Sequence, residues 1–134
     1  MGKPVFRVLI PEALENAFIF VADVLKALGL SIANPGSKKV TTWTDDGDQK
    51  EIPVASVVGA VVSGGIRNVQ FWKTSSEDVF VAWQEGANGY SFSIYLDGVD
   101  HVFLVMLASK LTESVLMKFG SQYGEGVALA VEFE

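Results

Sequence analysis

The alternation of apolar and polar residues at the start of the chain predicts a strand followed by a helix. Val5–Ile10 is apolar except for Arg7, a pattern typical of a mostly buried strand. Pro11 then suits the first turn of a helix, because its missing N–H is not needed there, and Gly29 favours the helix end. The apolar positions between them recur at helical spacing and are Leu14, Ala17, Phe18, Val21, Leu25 and Leu28.

The next part of the chain predicts a hairpin and then a second helix. Lys39–Thr44 alternates and is rich in β-branched residues, and Lys50–Ile52 returns after the turn Asp45-Asp46-Gly47-Asp48. Pro53–Ser63 contains five valines, which favour a strand by propensity but also form a helical stripe. We favour a helix, because a proline can occupy its first turn and Gly64-Gly65 can end it.

Three segments after this helix predict an antiparallel meander: Arg67–Lys73, Asp78–Gln84 and Tyr90–Asp97. The third segment alternates most clearly. One of its faces carries Tyr90, Phe92, Ile94 and Leu96, and the other carries Ser91, Ser93, Tyr95 and Asp97. We therefore expect one face of the sheet to be core and the other to be more hydrated.

A long helix and a last strand complete the predicted elements. Asp100 is a suitable N-cap for a helix that ends near Phe119. Its expected core stripe is Leu104, Leu107, Ala108, Leu111, Val115 and Phe119, and further apolar residues widen the stripe. Either this helix is central, or part of it meets another subunit. Val127–Phe133 alternates as a final strand.

The order of elements predicts one α+β domain over residues 1–134, with a mainly antiparallel sheet and two or three helices packed on it. Both ends of the chain are predicted to form β-α-β units. This plan resembles a ferredoxin-like fold with a meander inserted, and the resemblance is one of fold alone.

Composition and charge narrow the classes of partner. The chain has no cysteine, which excludes a disulfide framework and thiolate metal sites. Its net charge of −6 disfavours nucleic acid and anionic membranes and permits a basic protein partner. No apolar run is long enough to span a bilayer, and no signal peptide is visible, so we expect a cytoplasmic protein.

Candidate catalytic and metal-binding residues are few. His101 is the only histidine, and no nucleophile elbow or oxyanion hole accompanies it. In the Asp45-Asp46-Gly47-Asp48 turn the acidic residues are adjacent, whereas a calcium loop places them at alternate positions. No glycine-rich phosphate motif is present. We predict no catalytic residues, metal site or cofactor.

The aromatic residues of the meander suggest a recognition surface. If Val69 and Phe92 point to the core, the other face of the sheet carries five candidate partner-binding residues. These are Trp72, Gln70, Tyr95, Ser93 and Asp97. The turn residues Asp45, Asp46 and Asp48 would add an acidic loop that attracts a basic partner. Alternatively, the middle helix or a loop covers this face and makes Trp72 ordinary core.

These observations favour a non-enzymatic protein-binding domain of a cytoplasmic bacterial type. One concrete version is an acidic protein of the immunity kind, which neutralises a toxin or effector by occlusion. One alternative is a small-molecule binder or enzyme in which Asp97, Asp100 or Glu132 converge in a pocket between helix and sheet. Another is a homo-oligomeric structural domain that associates through the helix Asp100–Phe119.

Overall fold

The computed structural model describes residues 2–134, which form seven strands and three α-helices. Short 3-10 turns precede the second helix and follow the third. In chain order the elements are β1 (Pro4–Ile10), α1 (Leu14–Ala27), β2 (Val40–Trp43), β3 (Gln49–Ile52), α2 (Val57–Val62), β4 (Asn68–Trp72), β5 (Asp78–Gly86), β6 (Gly89–Tyr95), α3 (His101–Phe119) and β7 (Leu129–Phe133).

Five strands form an antiparallel sheet in the order β4-β5-β6-β1-β7, and β2 and β3 form a separate hairpin. The first strand lies inside the sheet. Val8 of β1 is opposite Phe92 of β6 on one side and Leu129 of β7 on the other. The predicted α+β class, with a mainly antiparallel sheet and packed helices, is confirmed.

The ferredoxin-like plan is not found at both ends of the chain. At the C-terminal end, β6 and β7 are both antiparallel to β1 and therefore parallel to each other, with α3 connecting them. At the N-terminal end, β1 has no parallel neighbour. The hairpin and α2 follow α1 and lead the chain to β4, which lies at the far edge of the sheet. The local pattern of apolar residues does not specify which strands pair, which is why the sequence did not exclude a second β-α-β unit.

All three helices pack on one face of the sheet and enclose the core with it. Phe6, Val8 and Ile10 of β1 point into this core. α1 contacts both of the other helices, and against α3 the rings of Phe20 and Phe119 lie 4.9 Å apart in an edge-to-face arrangement. No helix among residues 2–134 packs on the opposite face of the sheet.

The helix boundaries follow from the caps and the valine stripe. The Asp100 carboxylate accepts a hydrogen bond of 2.9 Å from the backbone N–H of Phe103, so Asp100 is the N-cap of α3 as predicted. Leu104, which the predicted core stripe included, is half-buried and packs against the core, and Phe103, which the stripe did not include, is buried. Pro53–Ser63 is helical, but its α-helix is limited to Val57–Val62 after a 3-10 turn.

Within residues 2–134, none of the helices combines the length and the apolar character that a bilayer-spanning segment needs.

The core of the sheet depends on large side chains such as Phe71, which is fully buried on β4. We expect Phe71→Ala to lower the free energy of unfolding by about 3–5 kcal/mol, because it removes a large apolar group and leaves a cavity. The control Val62→Ala changes a half-exposed valine on α2 and is expected to cost less than about 1 kcal/mol. Urea denaturation followed by circular dichroism measures both, and equal losses would contradict this account of the core.

Candidate binding face

The side chains on the uncovered side of the five-stranded sheet form a surface that we call the open face. Strand register places them in rows. One row runs through Gln70, Phe80, Tyr95, Val5 and Glu132, and the next runs through Asn68, Ala82, Ser93, Arg7 and Ala130. The buried residues Val69, Phe71, Phe92 and Ile94 point to the other side, toward the helices.

An aromatic pair occupies the open face near one end of β5 and β6. The rings of Phe80 and Tyr95 lie 5.7 Å apart with a tilted geometry, and both side chains are half-buried. A shallow cleft of about 410 Å³ lies beside them and is bordered by Lys3, Asp78 and Asp97. This end of the open face therefore combines an aromatic pair with charged side chains at its border.

Arg7 joins three strands at the middle of the open face. Its Nε donates to the Glu132 carboxylate of β7 over 2.9 Å, and its Nη1 donates to the Ser93 hydroxyl of β6 over 2.6 Å. The carboxylate of Glu134 also accepts a hydrogen bond from this guanidinium. Two carboxylates around one guanidinium leave this part of the face with excess negative charge.

A chain of side-chain hydrogen bonds connects the open face to the β2–β3 hairpin. The indole Nε1 of Trp43 donates to Gln70 Oε1 over 2.8 Å, and Gln70 Nε2 donates to Asp78 over 2.8 Å. Asn68 of β4 fixes the hairpin in place, because its amide bonds both the backbone N–H and the C=O of Trp43. These contacts place the hairpin beside the edge of the open face.

The hairpin turn carries the predicted acidic loop. Asp45, Asp46 and Asp48 are all exposed, and Gly47 has a φ of 85° that favours glycine at this point of the turn. Asp45 lies 3.8 Å from Arg67, an exposed ion pair that contributes little to stability. The acidic loop is thus a solvent-facing extension of the open face.

The structure brings Gln70, Tyr95 and Ser93 together on the open face, as the sequence analysis expected. Asp97 lies just beyond β6, exposed and 3.7 Å from Lys3. Trp72 is half-buried on the same face, and its indole N–H is shielded from solvent without a hydrogen-bond acceptor. The middle helix packs on the opposite side of the sheet and does not cover Trp72, whereas the loop residue Ser31 pairs with the backbone of Trp72 at the sheet edge.

Sequence reasoning missed Phe80 and Arg7 as parts of this surface. Phe80 lies between Val79 and Val81, so the apolar run on β5 concealed which residue faces away from the core. Arg7 carried a usable signal, because it is the only charged residue in an otherwise apolar strand.

The three carboxylates considered for catalysis have separate basic partners. Asp97 pairs with Lys3, Glu132 pairs with Arg7, and Asp100 pairs with Lys73 at 3.1 Å. None of the three borders the cavity of about 260 Å³ that lies between the helices and the sheet beside Trp83. Residues 2–134 also contain no group of three His, Asp or Glu side chains placed to hold a metal ion.

The pKa of the Asp100 carboxyl is lowered, first by the hydrogen bond from the Phe103 N–H and then by the Lys73 ammonium. The pKa of Lys73 is raised, mainly by its hydrogen bond to Asp100. A carboxyl that donates a proton in catalysis near neutral pH needs the opposite shift. Asp100 and Lys73 therefore form a structural pair at the start of α3.

The pKa of Asp100 is lower in the folded chain than in the unfolded chain, so its charge stabilises the fold at a pH above the unfolded-state pKa. This stabilisation is lost as the pH falls through the folded-state pKa. Asp100→Asn keeps a capping oxygen but removes the charge. We expect this variant to unfold at a lower urea concentration than wild type at pH 7, and at the same concentration near pH 2. Asp23→Asn, an exposed carboxylate on α1, is the control. A difference in urea midpoint between wild type and Asp100→Asn that does not change with pH would contradict the assignment of Asp100 as a charged N-cap.

Comparison of the chain with models of known protein families, with curated proteins and with solved structures finds no significant match to any of them.

Proposed function

We propose that this chain is a non-enzymatic protein-binding domain that uses the open face and the acidic loop to cover part of a partner protein. The observation that carries the proposal is the uncovered sheet face with aromatic side chains clustered toward one of its ends. A solvent-facing sheet side ordinarily carries polar residues. Here the face carries the aromatic residues Trp72, Phe80 and Tyr95, and aromatic side chains are enriched at interface centres.

The charges around the open face favour a basic partner. Asp78, Asp97 and Glu132 lie on or beside it, and the acidic loop extends from the adjacent hairpin. The nearby cations are already paired with carboxylates, as Lys3 is with Asp97. A basic surface would be attracted over a distance of about 8–10 Å at moderate salt, which speeds encounter more than it strengthens the final complex.

The size of the open face suits occlusion of another protein. Five strands spaced about 4.8 Å apart give a surface about 20 Å wide, and the hairpin widens it further. An acidic immunity-type protein, which neutralises a toxin or effector by covering it, is the version we favour. The proposal includes a cytoplasmic location, with which a chain without cysteine is compatible.

A small-molecule site is the alternative, and it has less support. The cleft beside Phe80 and Tyr95 has the volume of a small ligand site, about 410 Å³, but it is open and shallow. Its bordering carboxylate Asp97 is paired with Lys3 and not directed at an enclosed cavity. These features fit the outer part of a protein interface better than an enclosed pocket.

The first test concerns Tyr95, the aromatic side chain that the open face presents beside Phe80. A partner captured by the wild-type chain is purified and titrated by calorimetry against wild type, Tyr95→Ala and the control Ile19→Ala, which alters an exposed residue on α1. We expect Tyr95→Ala to raise the Kd about 10- to 100-fold, since aromatic residues at interface centres are common hot spots. The control is expected to bind as wild type. Equal affinities for all three chains, with circular dichroism showing intact folds, would contradict the proposed role of the open face in binding.

The second test concerns the acidic loop. We expect a triple variant to associate about tenfold more slowly at low salt and to dissociate at the unchanged rate. This variant combines Asp45→Asn, Asp46→Asn and Asp48→Asn. The matched control replaces Glu12, Glu15 and Asp23 by their amides, which removes the same charge from the α1 side of the molecule. Surface plasmon resonance over a range of salt concentrations separates the two rates. Equal slowing by both triple variants would contradict a specific role of the acidic loop, because the association rate would then depend only on the net charge of the chain.

A further inference from the structure

The two edges of the five-stranded sheet differ in their contacts with the rest of the chain. At the β4 edge, Ser31 exchanges two backbone hydrogen bonds of 2.7 Å with Trp72. The hydroxyl of Thr42 donates to the backbone carbonyl of Asn68 over 2.7 Å. The β4 edge is therefore occupied by other segments of the same chain. At the other edge, β7 is the outermost strand of the sheet.

The backbone of β7 directs regular hydrogen-bonding groups outward. Lys3 and Glu134 exchange both backbone hydrogen bonds, so they form a hydrogen-bonded pair of the β1–β7 ladder. Such pairs recur at every second residue of an antiparallel ladder. The N–H and C=O groups of Leu129, Val131 and Phe133 consequently point away from β1, toward a position where a further strand would lie.

The side chains of the same three residues lie on the helix face of the sheet and leave apolar surface uncovered. Val131 is 49% exposed and Phe133 is 71% exposed. Edge strands are usually protected from further pairing by proline, lysine or a bulge. β7 contains no proline and no lysine, and the carboxylate of Glu132 points to the open face, where it binds Arg7. The edge therefore lacks these protections.

The third helix adds apolar surface above this edge. In α3, Lys110, Ser114 and Lys118 line a groove against α1. At 3.6 residues per turn, the half-exposed Val105 and Leu116 lie on the opposite side of α3. Since α1 contacts β6 and α3 contacts β1, that opposite side is turned toward β7, the next strand beyond β1. Of the twelve large hydrophobic side chains exposed in residues 2–134, eight lie on α3 or in residues 127–133.

We infer that a second copy of this chain occupies this edge, with β7 of one copy antiparallel to β7 of the other about a two-fold axis at Val131. In this register Val131 faces its own counterpart and Leu129 faces Phe133, so every outward backbone group of β7 is paired. Glu132 then faces Ala130. Moving the axis to residue 132 would place two Glu132 carboxylates directly opposite each other, which is unfavourable. The strand is thus self-complementary in both hydrogen bonding and charge.

The apolar surface is sufficient for a modest dimer. Five side chains, Val105, Leu116, Val127, Val131 and Phe133, would together contribute about 400 Å² of apolar area per copy. Homodimer interfaces are about 65% apolar, so this apolar area corresponds to a total buried area of about 600 Å² per copy. That value is at the lower end for specific complexes, so a micromolar Kd is expected. The open face stays free in this dimer, and the inference does not depend on the proposed function.

Sedimentation velocity of the intact chain, over concentrations from about 1 to 300 μM, tests the dimer. Wild type is expected to shift from the 14.4 kDa monomer toward twice that mass. Val131→Pro removes one outward N–H but leaves the groups that bond β1, and proline is tolerated on the free side of an edge strand. Val131→Lys adds a charge at the two-fold axis. Both variants are expected to stay monomeric at 300 μM with the circular dichroism spectrum of wild type.

The matched control is Val62→Lys, which places the same charge at a position that is 51% exposed on α2. We expect it to dimerise as wild type does. A wild-type chain that remains monomeric at 300 μM would overturn the inference. A dimer that persists in Val131→Lys, or in a correctly folded Val131→Pro, would overturn it too, because the contact would then lie elsewhere. If Val131→Pro does not fold, Val131→Lys alone decides the matter.

Discussion

The structure depends on the position of β1 between β6 and β7. This single strand pairs with β6 on one side and with β7 on the other, so the two halves of the sheet exist as one surface only when β1 is in place. It also supplies the inward side chains Phe6, Val8 and Ile10, which lie under α1 and α3. On the other side it supplies Arg7, whose guanidinium connects β6 to β7. Core and open face are therefore built by the two sides of the same strand.

Much of the fold was predictable because local patterns carry it. Strict alternation of apolar and polar residues identified β6 and the direction in which its side chains point. A carboxylate at the right position identified the start of α3. The strand order was not predictable, since pairing joins segments far apart in the chain and no local signal selects among apolar strands. For the same reason the sequence suggested a second β-α-β unit, although β4 lies at the far edge of the sheet.

The candidate site was partly predictable. Once Val69 and Phe92 were assigned to the core, period-two geometry required Gln70, Tyr95 and Ser93 to share the other face. The neighbour of Tyr95 on the next strand, Phe80, could not be found without the register. Nor could the sequence show that Asn68 fixes the acidic hairpin beside this face, or that each candidate carboxylate has its own cation. Those contacts depend on side chains brought together from distant segments.

The interior position of β1 also sets the order of events during synthesis. Arg7 precedes Ser93 by 86 residues and Glu132 by 125 residues, so β1 emerges from the ribosome long before its partners. At 5–20 residues per second, β1 waits about 6 to 25 seconds until β7 has been made. Until β6 has been made, β1 has no partner on either side, and until β7 has been made one of its sides stays unpaired. Completion of the sheet is therefore a late step, because β1 acquires its second neighbour only after β7 has been made.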